Sequence, residues 1–186
     1  MSSPRPLALL CHAATPAPRA TTLAVTVRRL PDGGLHLAYR LQADLRQIAL
    51  PPPPAAGPED GLWQHTCFEA FVGVPGSPAY REYNFSPSGR WAVYAFNACR
   101  QRQPGFSPAL APRLAVRRFP DRLAVDAELV PALLPAASGL EIGVAAVVEA
   151  ADGGMSYWAL AHAGPRPDFH LRQGFVLRLA PPVATA

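Results

Sequence analysis

Trp63, Glu69, Glu82, Asn84 and Arg90 are the residues with which this sequence could do chemistry. They fall in two aromatic-polar stretches, Leu62-Trp63-Gln64-His65-Thr66-Cys67-Phe68-Glu69-Ala70-Phe71 and Tyr80-Arg81-Glu82-Tyr83-Asn84-Phe85-Ser86-Pro87-Ser88-Gly89-Arg90-Trp91. A third such cluster is Tyr157-Trp158-Ala159-Leu160-Ala161-His162 with Pro167-Asp168-Phe169-His170. Each puts a flat ring beside charge. A sugar needs an apolar face against which its C–H groups stack, and carboxylate, amide or guanidinium groups for its hydroxyls, so Trp63 or Trp158 with Glu69, Asn84 and Arg90 would suffice. The competing account is structural: the tryptophans anchor a core, and Glu69 and Glu82 pair with Arg81 or Arg90 on a solvated sheet face.

Other chemistries have less to stand on. Glu69 and Glu82 would make a general acid and nucleophile if their carboxyl groups stood roughly 5–10 Å apart, the arrangement of glycoside hydrolases. The chain has no Gly-x-Ser-x-Gly elbow and no phosphate-cradling glycine loop, and Cys67 has no local nucleophile motif. His162, Asp168 and His170 fall in one loop and carry metal-ligand chemistry, but their spacing is no metal signature; Asp168 capping local backbone donors is the structural alternative. The 3 cysteines, Cys11, Cys67 and Cys99, lack Cys-x-x-Cys spacing and read as small hydrophobes.

These residues need elements to position them. Strand-like runs recur at residues 7–12, 22–29, 35–42, 66–72, 80–85, 91–97, 114–119, 123–128, 140–149, 157–161 and 175–179. The turns between them are chemically explicit: Pro31-Asp32-Gly33-Gly34, Ser86-Pro87-Ser88-Gly89, Pro120-Asp121 and Asp152-Gly153-Gly154. Because strand side chains alternate, Tyr80, Glu82, Asn84 and Ser86 share one face of their strand, and Arg81, Tyr83 and Phe85 share the other. The run at 140–149 is apolar on both faces and reads as a central strand. Small Gly143 and Ala145 with Val147 on one side leave room for a closely approaching layer or for a cavity. Pro131 and Pro135 limit the bend at 128–134 to about one helical turn. About 10–11 short strands with one such turn predict an all-β, two-layer antiparallel β-sandwich, immunoglobulin-like or jelly-roll-like in kind.

Composition bounds the rest. At 186 residues and 49% hydrophobic content, residues 1–186 are expected to form one domain, with a proline-rich surface loop at 51–58 and a short flexible tail at 181–186. All 17 basic residues are arginine, net charge is only +4, and the doublets Arg28-Arg29 and Arg117-Arg118 lie apart, so no basic stripe speaks for nucleic acid. The apolar run at 7–11 is shorter than the roughly 7–15 residues of an export signal, and the run at 142–148 is far below the roughly 20 needed to span a membrane, so a cytoplasmic location and no membrane partner are expected.

The order of these features resembles the DOMON-like superfamily over most of the chain. The features are Trp63 and the acidic strand after it, the strand ending in Ser-Pro-Ser-Gly, the bend at 129–134, the strand at 140–149, and the ending from Tyr157-Trp158 to Phe169-His170. It is most similar to the small bacterial DOMON-like proteins and more remotely to family-nine carbohydrate-binding modules. The resemblance implies a β-sandwich that holds a sugar, or in one branch a haem, without catalysis of its own. It matches Trp63 to the stacking aromatic, Glu69 to the acidic strand position and Arg90 to its basic partner, with Trp158 or Trp91 as second stacking ring. The haem branch implies Met and His ligands, for which Met155 with His65, His162 or His170 are the available residues. The expectation is a ligand-binding domain without a cofactor, using Trp63, Glu69, Glu82, Asn84, Arg90, Trp91, Trp158 and His162 for a sugar or sugar derivative. The alternative is a scaffold domain that docks a protein partner, such as an enzyme of envelope precursors.

Overall fold

The computed structural model describes residues 5–52 and 56–181. Among them are thirteen strands: β1 (Leu7–Cys11), β2 (Thr22–Arg29), β3 (Leu35–Gln42), β4 (Gly57–Pro58), β5 (Cys67–Gly73), β6 (Tyr80–Phe85), β7 (Arg90–Ala98), β8 (Gln101–Arg102), β9 (Arg113–Arg118), β10 (Arg122–Leu129), β11 (Leu140–Glu149), β12 (Met155–Ala159) and β13 (Leu177–Leu179). Every expected strand is present with small shifts at its ends. The two additions, β4 and β8, are two residues each, too short to show periodicity. The bend at 128–134 is a 3-10 turn over Pro131–Leu133, and three further 3-10 turns lie at Leu45–Gln47, Leu62–Gln64 and Arg172–Gly174. No helix of the described residues is long and apolar enough to cross a membrane.

The strands hydrogen-bond in the order β4-β7-β6-β5-β11-β12-β1-β2-β3-β10-β9, one continuous, curled, mixed sheet in place of two separate antiparallel sheets. β1 makes it continuous. Its residues Leu7, Ala8 and Leu9 pair with β2, and Leu10 and Cys11 pair with β12, so the apolar run at the start of the chain serves as the seam between the two halves. All strand pairs are antiparallel except β4 with β7, where Gly57 and Pro58 run beside Arg90 and Trp91. The end of the expected 51–58 loop is therefore strand, while residues 53–55, like 182–186 of the expected tail, lie outside the described residues. β11 is central: β5 occupies one edge, and β13 and β12 share the other, at Leu140–Ile142 and Ala145–Glu149 respectively.

Alternation explains why the sheet curls around its own inner face. In β3, Leu35, Leu37, Tyr39 and Leu41 are fully buried while His36, Arg40 and Gln42 point away. They meet Phe68, Ala70 and Val72 of β5, Tyr83 and Phe85 of β6, and the inner residues of β11 in one core. Tyr39 stands with its ring centroid 5.1 Å from that of Phe68. Burying each such large side chain contributes about 1.5–3 kcal/mol. Trp158 belongs to this core, where Ser156 Oγ accepts from its Nε1 at 3.1 Å, and Trp91 packs against the same core from β7.

Candidate functional site

The residues that face away from the core on β5, β6, β7, β11 and β12 form the floor of a cavity of about 410 Å³. Pairing puts them in rows: Glu69 stands between Ala145 of β11 and Asn84 of β6, and Phe71 stands between Gly143 and Glu82, which in turn faces Tyr94 of β7. Gly143 and Val147 use the room on β11 in two ways. The Phe175 ring lies over Gly143, so close that a Cβ there would stand 3.0 Å from it, whereas Val147 lines the open cavity.

Three segments raise the walls. Gly61, in the left-handed region at φ 74°, starts the 3-10 turn that buries Leu62 and leaves Trp63 at the rim, 51% exposed. The turn is tied down by Tyr94, whose hydroxyl donates to Asp60 and accepts from Gly61 N at 3.3 Å. The second wall is Arg100 and Arg102 after β7; the Arg102 guanidinium lies 4.0 Å over the Tyr94 ring. The third is the segment Pro167, Asp168, Phe169 and His170. It is fastened where Asp168 accepts from Arg100 at 2.8 Å and from the His170 main chain at 3.0 Å, and where Arg172 bonds Glu141 at 2.6 Å and Val74 O at 3.1 Å.

The floor holds two buried acids. Glu69 is 3% and Glu82 4% exposed. Burial, and then the neighbouring Glu82, push the Glu69 carboxyl well above the usual carboxylate range. Burial raises Glu82 to about 7, against the opposing influence of the Asn84 hydrogen bond and of Arg102 and Arg100. Asn84 Nδ2 donates to Glu82 Oε1 at 2.7 Å, while its Oδ1 accepts from the Cys67 thiol at 3.4 Å. Glu69 Oε1 is buried and has no hydrogen-bond partner among the described residues. His170 Nε2 stands 3.8 Å from Glu82 Oε2, and its Nδ1 is 2.7 Å from the Tyr80 hydroxyl. Burial, followed by Arg100, lowers this histidine to about 4, so it is neutral at pH 7. Arg100 N donates to the Tyr80 oxygen at 3.2 Å.

Of the residues singled out from sequence, the fold brings Trp63, Glu69 and Glu82 to one cavity, with Asn84 beneath it orienting Glu82. It takes four elsewhere. Arg90 pairs with Glu59 at 3.3 Å, not with an acid of the floor. Trp91 and Trp158 face the core, because each sits at an odd step from Tyr94 and Tyr157 in the two-residue alternation. His162 lies behind Phe169, with Nε2 2.8 Å from Leu10 O. The alternative of Glu69 or Glu82 ion-paired with Arg81 is also absent, since Arg81 donates to Leu133 O from the opposite face. His162, Asp168 and His170 do not gather, and no group of three metal-ligating side chains is found among the described residues. His65, one of the haem-ligand candidates, has Nδ1 2.8 Å from Glu149 Oε2. The cysteines are free.

Tyr94, Phe96, Arg100 and Arg102 line the cavity without having been singled out, beside Phe71, Tyr157 and Phe169 of the three aromatic-polar clusters. Carrying the alternation of β6 across the Ser-Pro-Ser-Gly hairpin would have found Tyr94 and Phe96, which stand opposite Glu82 and Tyr80. Nothing local marks Arg100 or Arg102.

No family model matches the chain, and no curated protein matches it. Among solved structures it is similar to a family-nine carbohydrate-binding module from Caldicellulosiruptor kristjanssonii in complex with glucose, with a TM-score of 0.56 at 9% identity over 83% of this chain and 74% of that one. The same module in complex with cellotriose gives 0.57 at 9% identity over 83% and 72%. A candidate carbohydrate-binding protein from Bacteroides uniformis gives 0.62 at 16% identity over 91% and 82%. These likenesses are of fold.

Proposed function

We propose that the chain is a single-domain, non-catalytic binding protein for a carbohydrate or sugar derivative, of the DOMON-like kind, and that the cavity over β5, β6 and β7 is its binding site. One observation carries this reading: an exposed tryptophan stands at the rim of a cavity whose floor presents two buried carboxyl groups. Trp63 supplies the face on which a pyranose ring stacks. Glu69 and Glu82 bond its hydroxyls, with Asn84 holding Glu82 in place. Tyr94, Phe96 and Phe169 exclude water around the sugar, which strengthens those bonds. The volume of about 410 Å³ lies within the roughly 300–1,000 Å³ of small-molecule sites. The concave shape also favours a small ligand over protein docking on this face. If the protein works in the cytoplasm, its ligand is a soluble sugar derivative, not a polysaccharide.

The fold likeness to modules solved with glucose and cellotriose supports the choice of ligand class. Tryptophan fluorescence during titration with mono- and oligosaccharides tests it. A saturable change that is lost in Trp63→Ala is the expected result; a flat response to every sugar removes the reading.

A further inference from the structure

Glu69 and Glu82 are diagonal neighbours on one face of the β5–β6 pair, since Glu69 pairs with Asn84 and Glu82 with Phe71. Both are buried, both contribute to the cavity floor, and neither forms an ion pair with an arginine among the described residues. No Arg or His lies within ion-pair distance of Glu69 among the described residues, and the group nearest Glu82 is His170 at 3.8 Å. The two guanidinium groups of the wall are engaged elsewhere: Arg100 with Asp168 at 2.8 Å, Arg102 with Asp60 at 3.6 Å and with the Tyr94 ring. Glu69 Oε1 has no hydrogen-bond partner among the described residues. A sugar hydroxyl would satisfy one oxygen but brings no charge with which the buried pair could ionise. An ammonium group carries three donors and the missing charge, and the rings of Tyr94, Phe71 and Phe96 around the acids suit a cation.

Resting on the saccharide reading above, we propose that the ligand carries a protonated amine, as an amino sugar does, and that Glu69 and Glu82 hold this ammonium group. Binding is then linked to protons. The cation stabilises the ionised acids, so protons that burial keeps on the pair are released when the ligand enters, and affinity rises from pH 5 to pH 7.5. The other groups facing the pair do not reverse this sign. Cys67 on β5 and Tyr80 on β6 are held protonated by burial, as is Tyr94 on β7, and His170 is neutral throughout the interval. Arg100, Arg102 and Asp168 also line the cavity. From the core side, Tyr39 offers only its hydroxyl to the Glu69 main chain.

Isothermal titration of the full chain with D-glucosamine, D-glucose and cyclohexylamine separates the two readings. The expected result is glucosamine bound about tenfold or more tightly than glucose at pH 7, with proton release seen as a dependence of the heat on buffer ionisation. Glu69→Gln, and independently Glu82→Gln, then lower the ratio of glucosamine to glucose affinity about tenfold and reduce the proton release on glucosamine binding, whatever each does to the hydroxyl contacts that the two sugars share. Glucose bound as well as glucosamine, without proton release, overturns the amine inference and leaves the saccharide reading standing. Cyclohexylamine bound while both sugars fail overturns the saccharide reading and upholds selection of a cation. Failure of all three overturns both.

Discussion

The Tyr39 hydroxyl donates to the main-chain oxygen of Glu69 at 2.8 Å, so a core residue of β3 holds from beneath the strand position whose carboxyl forms the cavity floor. The bond is buried at both ends, and losing it leaves the donor's partner short of a hydrogen bond. Tyr39→Phe is expected to lower unfolding stability by about 1–2 kcal/mol in urea titration. Ligand affinity should change little, because the side chain of Glu69 points the other way.

The two tryptophans of opposite placement make a sharper pair. Trp63 is half exposed at the rim, whereas Trp158 is 5% exposed in the core. Trp63→Ala is expected to cost less than about 0.5 kcal/mol of stability while abolishing the fluorescence response to ligand. Trp158→Ala should cost about 3–5 kcal/mol. Thermal melts beside binding titrations of both variants check the contrast; similar melting losses in the two would contradict the placement of Trp63.

Gly73 is where the third wall is fastened. A Cβ there would fall on the Arg172 guanidinium, which bonds Glu141 and Val74 O and lies over the Phe175 ring. Gly73→Ala is expected to displace that group at a cost of about 1–3 kcal/mol and to loosen residues 167–175. Amide hydrogen exchange of that segment, faster in the variant than in the parent, is the check.

Glu82 titrates near 7 in the folded protein and in the ordinary carboxylate range when unfolded, so the folded state binds more protons between about 4.5 and 7. Stability from this group is therefore lost as pH rises through that interval; Glu69, also raised by burial, acts with the same sign. His170 acts with the opposite sign, since its pKa falls from 6.5 to about 4 and folding then favours the deprotonated ring below pH 6.5. Above pH 6.5 only the acids remain in play. The melting temperature of the ligand-free protein should fall between pH 6.5 and 8, and the fall should be smaller in Glu82→Gln. A melting temperature independent of pH in both would show that the acids are not held protonated.

Asn84 tunes that titration. Its amide donates to Glu82 Oε1 at 2.7 Å and so favours the ionised carboxylate. Asn84→Ala is expected to move the midpoint of the pH-dependent loss upward. It should also weaken ligand binding by roughly 5–30-fold, the consequence of about 1–2 kcal/mol of lost orientation and charge. Following the melting temperature and affinity across pH 6–8.5 measures both.

The hairpin of β6 and β7 shows how much could be read from the chain alone. The alternation of Tyr80, Glu82, Asn84 and Ser86 against Arg81, Tyr83 and Phe85 is local, and the fold preserves it. The same rule, extended by pairing across the turn, assigns Trp91 to the core and Tyr94 to the cavity. Arg90 could not be placed that way: its partner Glu59 comes from the segment beside β4, and a two-residue parallel strand leaves no periodic trace.

The amino-acid sequence by itself determined the strands, their turns and the sharing of faces, because alternation and turn chemistry act over a few residues. Tertiary structure decided which face became a core and which a cavity. It also placed Trp63, rather than Trp91 or Trp158, over the acids. It set Arg100, Arg102 and Phe169 around them as well, and joined the halves through β1 into one sheet. Those outcomes depend on pairing between strands far apart in the chain. The neutrality of His170 and the raised pKa values of Glu69 and Glu82 follow from the same cause, since burial is a property of the assembled layers and of no single segment.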